Sequence, residues 1–159
     1  MAQQAIESQL LAEGVRRLDL SDFCIVTADS TIREVVEQMR ERGHNCALIV
    51  GERTRLTGIL TDRDVLQKIV HRPEIWDDPV STVMTAAPQT IDQEGTAQQA
   101  LRMMDRGGFR NVPVVRGNGA IVGNVTYFSI LKFLVDHFPE AVYNLPPDPT
   151  NYADRRDGG

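Results

Sequence analysis

Apolar positions recur along this chain in two rhythms. Ile32, Val35, Val36 and Met39 fall at i, i+3, i+4 and i+7, one face of a helix. Thr31 precedes the run and Glu34 follows three residues later, a pairing that caps a helix start reciprocally. Gly43 supplies a left-handed stop. The apolar run Cys46 to Val50 is too short for a helix and reads as a strand, followed by the polar turn Glu52-Arg53-Thr54-Arg55. Leu56 to Leu60 reads as a return strand, and a closing helix is predicted over about Asp62 to His71. Ahead of these elements, residues 2–18 pattern as an amphipathic helix with Ile6 and Leu10 on one face.

The pattern returns 65 positions later without a gap. Thr31 meets Thr96, Met39 meets Met104, Gly43 meets Gly108, Val50 meets Val115, Gly58 meets Gly123 and Thr61 meets Thr126. Such self-similarity marks two copies of one unit. The second copy offers Thr96 and Gln99 as a cap and Gly108 as a stop. Its strands are Val112 to Val115 and Ala120 to Val125, joined by the hairpin signal Gly117-Asn118-Gly119. A last helix, Tyr127 to His137, ends before Pro139. The expected division is an N-terminal helix over 1–14, a first copy over 15–71, a linker over 72–79, a second copy over 80–138 and an extended tail over 139–159. The tail carries Pro146, Pro147 and Pro149. Trp76 in the linker is read as filling a seam between the copies.

Charge narrows the function. The net charge of −5 argues against non-specific nucleic-acid binding, which needs a basic face. It leaves room for a small anion held by a few local donors. Cys24 and Cys46 have no CxxC spacing and read as small core residues. His44, His71 and His137 lack metal spacing and read as solvated helix ends, so no metal site is expected. Ser81 and Ser129 have no evident base, so no catalytic residue is expected and the chain is not read as an enzyme. No apolar run approaches the ~20 residues of a membrane helix. The Met1-Ala2-Gln3-Gln4-Ala5-Ile6-Glu7 start lacks the basic and apolar regions of a signal peptide. The expected location is the cytoplasm.

The ordered set of features resembles a tandem pair of CBS domains, a Bateman module of the stand-alone bacterial or archaeal type. It is carried by Val80-Ser81-Thr82-Val83-Met84-Thr85, the capped helices, the Asn111-Val112-Pro113-Val114-Val115 strand and both Gly-x-x-Thr turns. It covers about residues 15–138. The resemblance implies an α+β fold of two β-α-β-β-α repeats related by a pseudo-twofold axis and packed sheet to sheet. It implies a homodimer that senses adenosine ligands (AMP, ADP or ATP, or else S-adenosylmethionine or a cyclic dinucleotide) and regulates an effector protein.

In the main cleft, an Asp64 carboxylate can accept both hydroxyls of a ribose. Thr61 can donate to phosphate at a helix N-terminus, where anions are favoured. Arg63 is either a phosphate ligand or an ordinary exposed arginine. The competing reading of Thr61 and Asp64 is plain helix capping. In family terms this cleft also recruits Thr85, Gln89, Thr90, Arg110, Asn111 and Val112, with Asn45 near the phosphates. The second cleft has Thr126 and Ser129 with Leu20, Ile25, Asn45, Cys46 and Ala47, and Arg110 facing phosphate. Ser129 stands where the first copy has Asp64, and Tyr127 and Phe128 stand where it has Asp62 and Arg63, so this cleft is expected to be weaker or plugged. Arg110 also has a plain reading as a surface ion pair. The alternative function is a ligand-independent dimeric scaffold.

Overall fold

Among the described residues, four threonine-led capping boxes each start a helix. The computed structural model describes residues 8 and 12–139. Helix α1 spans Ile32–Arg42. Helix α2 begins as Asp62–Asp64 and continues as π-helical Val65–Ile69. Helix α3 spans Ala97–Gly107 and α4 spans Tyr127–His137. The reciprocal caps are Thr31 with Glu34, Thr61 with Asp64, Thr96 with Gln99 and Thr126 with Ser129. Gly43 (φ +66°) and Gly108 (φ +65°) end α1 and α3 in the left-handed region that glycine adopts without strain. In α2 the expected α-helix is replaced after one turn by a wider one, in which the Val70 amide donates to the Val65 carbonyl at 3.0 Å.

Two small sheets complete an α+β fold. The first runs β1 (Cys24–Thr27), β2 (Cys46–Val50), β3 (Leu56–Thr61) and β4 (Thr85–Ala86), in that order. The second runs β5 (Ile91–Asp92), β6 (Asn111–Val115) and β7 (Ile121–Thr126). In each copy a parallel pair spans the capped helix and an antiparallel hairpin follows. A bulge recurs at matched places, Ile49/Val50 and Val114/Val115.

The copies trade their leading segments. β4 belongs by sequence to the second copy, yet it pairs with β3 of the first, Ile59 opposite Thr85. The residue 65 before Thr85 is Leu20, and the residue 65 after Ile59 is Asn124. The Asn124 amide donates to the Leu20 carbonyl at 3.0 Å. The two turn glycines stand where these leaders cross. A Cβ on Gly58 would collide with Met84 Sδ, and one on Gly123 would lie 2.8 Å from the Leu20 carbonyl oxygen.

The core follows the exchange. Val15 and Leu18 pack with Ala97, Met104 and Val112 of the second copy, whereas Ile75, Val80 and Val83 pack with Ile32, Ile49 and Leu60 of the first. Every residue of β2 is buried. Ala47 and Ile49 face the first copy's core, while Cys46 and Leu48 join Ile59 between the sheets. A strand covered on both faces reads as a continuous apolar run, which is why this segment lacks alternation.

Trp76 corrects the linker reading. It is half-buried against the core gathered on the first copy, with the Arg33 guanidinium 5.7 Å from its ring centre, and it is not among the residues packed on the second copy's core. Its neighbours Val80 and Val83 insert into that same core and hold it there. The linker over 72–79 holds one short 3-10 turn, Pro73–Ile75, and a second, Val80–Thr82, opens the second copy. The helix expected over 1–14 lies almost wholly outside the described residues, and Val15–Arg17 is a single 3-10 turn. The tail beyond residue 139 also lies outside them. No described helix is long and apolar enough to cross a membrane.

Candidate functional site

The exchange of leaders leaves a cavity of about 630 Å³ between the copies. The first copy's turn contributes Ile59, Thr61, Asp62, Arg63, Asp64 and Leu66. The second copy contributes its leader (Thr85, Ala87, Pro88 and Gln89), the last residue of α3 (Gly107) and the segment that follows it (Gly108 to Asn111). Of the residues expected in the main cleft, Thr61, Arg63, Asp64, Thr85, Gln89, Arg110 and Asn111 line this cavity. Thr90 is exposed outside it, and Val112 is wholly buried behind it. Asn45 lines a neighbouring groove instead.

Sequence reasoning missed Phe109, Leu66, Ala87 and Pro88. Phe109 directly follows the Gly108 helix stop, and that stop is the one signal that would have placed it at a cleft mouth. Ala87 has φ +45°, an unusual conformation for a residue with a Cβ, and its amide donates to the Thr57 carbonyl at 2.9 Å.

Asp64 is already a busy acceptor. Its Oδ2 accepts the Thr61 amide at 3.0 Å and the Thr61 hydroxyl at 2.9 Å. Its Oδ1 lies 2.7 Å from Lys68 Nζ, one turn on. The Thr61 hydroxyl also accepts from the Asp64 amide at 3.3 Å. The capping chemistry is therefore fully formed. Thr61, expected to donate to phosphate, donates to Asp64. The Asp64 side chain still opens to the cavity at 14 % exposure. Lys68 was not singled out from the sequence, although its i+4 spacing from Asp64 is a charge-pairing signal.

Arg63 reaches across the copies and donates to the Gly108 carbonyl at 2.7 Å. It thereby stands between the cavity and the groove on its other side. That groove, about 1060 Å³, is lined by Asp22, Asn45, Arg102, Asp105, Thr126, Tyr127 and Phe128, among others. The two spaces share Asp62, Arg63, Gly108, Phe109, Arg110 and Asn111.

The second turn folds inward. Ser129 is buried, with Oγ accepting from the Thr126 amide at 3.1 Å and donating to the Thr126 carbonyl at 2.9 Å. Cys46 and Ala47 are fully buried, Leu20 is committed to β7 through its carbonyl, and Ile25 is half exposed away from the lining. Of the residues expected in the second cleft, Thr126, Asn45 and Arg110 line the groove, and Ser129, Leu20, Ile25, Cys46 and Ala47 do not. Tyr127 and Phe128 are exposed on its wall.

A polar knot joins the two spaces. Asn124 is fully buried, and its Nδ2 lies within 3.3 Å of the Asp22 carbonyl, the Asn111 Oδ1 and the Cys46 sulfur. Asp22 in turn accepts from the Asn45 amide and side chain at 2.9 and 3.0 Å. Burial pushes the Cys46 and Cys24 thiols above their usual range, which disfavours the thiolate in both. Among the described residues no cluster of His, Cys, Asp and Glu could hold a metal.

A family model described as CBS domain matches residues 15–71 and again 80–136. The chain belongs to the CBS-domain family. This tandem CBS pair is 37 % identical over 123 residues to the CBS domain-containing protein CBSCBSPB1 of Arabidopsis thaliana, covering 77 % of this chain and 22 % of that protein. It thus spans under a quarter of that relative. It is 26 % identical over 126 residues to a 17.7 kDa protein of Acidianus ambivalens, covering 79 % of this chain and 76 % of the other. Among solved structures, a conserved protein from Pyrococcus horikoshii superposes with a TM-score of 0.70 at 18 % identity, covering 77 % of this chain and 92 % of the other. The CBS domain protein PAE2072 from Pyrobaculum aerophilum, complexed with AMP, superposes at 0.67 with 23 % identity, covering 77 % and 98 %. These likenesses establish the fold.

Proposed function

We propose that this CBS pair is a regulatory module that binds an adenosine nucleotide (AMP, ADP or ATP) in the 630 Å³ cavity. The observation that carries the reading is the meeting of an acceptor, Asp64, with two cations, Arg63 and Arg110, around one inter-copy cavity of small-molecule size. Asp64 suits the ribose, the arginines suit phosphate, and Phe109 with Pro88 offers apolar surface to a base. The AMP complex of the Pyrobaculum protein supports the choice of ligand. S-adenosylmethionine and cyclic dinucleotides are the competing ligands.

Signalling needs a surface that responds. Leu66 and Val70 of the first closing helix and Tyr127, Phe128 and Leu131 of the second are large exposed apolar side chains. A second copy covers them in this reading, giving a homodimer whose geometry shifts with ligand and which an effector protein reads. The shift extends only as far as the ligand prefers one state. The role is sensing, not catalysis, and the setting is the cytoplasm.

The test is calorimetry with AMP, ADP, ATP, S-adenosylmethionine and cyclic di-AMP, repeated on Asp64→Ala. An adenosine nucleotide binds the wild type, and the variant loses most of that affinity. Absence of heat and of melting shift with every compound at millimolar concentration sinks the reading. It would favour the second one, a ligand-independent dimeric scaffold, which the exposed apolar helix faces also support.

A further inference from the structure

One buried amide in the second copy has no counterpart in the first. Asn124 is fully buried on β7, and the residue 65 positions before it is Ile59, an apolar side chain between the sheets. The first copy thus builds the matched strand without a polar group. Asn124 Oδ1 is the one buried side-chain atom without a hydrogen-bond partner among the described residues, an arrangement that disfavours folding. Its Nδ2 is fully used. It donates to the Asp22 carbonyl at 3.1 Å and to the Asn111 Oδ1 at 3.0 Å, with the Cys46 sulfur 3.3 Å away. A main-chain carbonyl only accepts, so Asp22 decides which end of Asn124 is the nitrogen. That nitrogen only donates, so the Asn111 atom facing it is the oxygen. Asn111 Nδ2 is then turned the other way. Nothing among the described residues accepts from it, and it is not buried, so it opens outward. Asn111 lines both the cavity and the neighbouring groove.

We propose that Asn124 is a positioning residue: it locks the Asn111 side chain as a hydrogen-bond donor facing the inter-copy space, and a bound nucleotide meets that donor with an acceptor atom. The inference rests on the nucleotide reading above. Polarity is relayed from the Asp22 carbonyl through two amides to the ligand, and each step leaves one orientation. An unlocked asparagine can turn its oxygen outward instead, or take another rotamer, and then has nothing to donate. Holding the donor in place before the ligand arrives removes that loss. The orphaned oxygen of Asn124 is the cost of the orientation. Asn124 acts through Asn111, since it lines neither space itself.

The experiment is a double-mutant cycle on the full chain, with AMP as the ligand and calorimetry for Kd. Asn111→Ala should weaken AMP on the order of tenfold, the worth of one well-placed hydrogen bond. Asn124→Leu, close in shape to asparagine, should weaken it roughly fivefold, because the freed amide is seldom in the right orientation. The double variant should match Asn111→Ala within about twofold, whereas independent roles would multiply to about fiftyfold. Nuclear magnetic resonance supplies a readout that a merely structural role would not move. Saturating AMP should shift the Asn111 side-chain amide protons of the wild type and slow their exchange with water, whichever ligand atom accepts. Losses that multiply overturn the proposal, as does wild-type affinity in Asn124→Leu, or AMP that binds and leaves the Asn111 amide protons unmoved. Should Asn124→Leu fail to fold, Asn124→Ala takes its place in the cycle and the wild-type spectra decide on their own. Failure of the nucleotide reading looks different: AMP binds none of the proteins, the wild type included, and this inference falls with it.

Discussion

The traded leaders can be tested at two glycines that look equivalent in sequence and are not equivalent in space. Neither Gly58 nor Gly123 has a positive φ, so alanine is allowed by the backbone at both. A methyl at position 58 meets the Met84 thioether, a flexible and adaptable chain end. A methyl at position 123 meets the Leu20 Cβ at 2.5 Å and its carbonyl oxygen at 2.8 Å. That oxygen also accepts the Asn124 amide, so the leader cannot retreat without stretching the bond. Overpacking against backbone costs about 2 kcal/mol, within a range of roughly 1–3. The weakened hydrogen bond adds about 1 kcal/mol. Gly123→Ala should therefore lose about 3 kcal/mol, roughly 6–12 °C in Tm for a domain of this size. Gly58→Ala should lose about 1 kcal/mol or less, because methionine repacks. Urea denaturation followed by far-UV circular dichroism measures both. The fluorescence of Trp76, the one tryptophan, gives a second probe seated in the first copy. If the two variants differ by less than about 0.5 kcal/mol, the size of an ordinary surface substitution, the argument from the crossing leaders is refuted.

Two further outcomes follow from the turns. Ser129→Ala removes one half of a buried capping box and should cost about 1 kcal/mol while leaving nucleotide affinity at the Asp64 cavity unchanged, as urea melts and calorimetry would register. A large affinity loss would mean that the second turn contacts the ligand after all. Arg63→Ala should weaken AMP more than adenosine, because the guanidinium serves phosphate and not sugar. Equal losses for the two ligands, read by calorimetry, would assign Arg63 to the inter-copy Gly108 bond alone.

The residues that made the repeat visible act locally, and so they were legible. A threonine three residues ahead of Glu34, Asp64, Gln99 or Ser129 caps whatever helix follows, and Gly43 and Gly108 stop the helices they end, with no help from distant chain. The 65-residue offset, the strands and the cavity-lining turn at Thr61 and Asp64 all follow from that kind of information. The widened turn of α2 does not, because periodicity has no marker for a change from i+4 to i+5 bonding.

What tertiary structure decided is who pairs with whom. Leu20 and Thr85 are neighbours of their own copies in sequence, yet each lies against the other copy's return strand, since those strands would otherwise be open edges. That exchange puts Phe109 and Pro88 beside Asp64, turns Ser129 into the core and carries Asn45 into the neighbouring groove. The sequence by itself determined two capped units with unequal turns. Only the packing of one unit on the other determined which acceptor positions of Asp64 are filled and which face the cavity, because the second anchor of Lys68 is the carbonyl of Val83, fifteen residues away and held in place by a core.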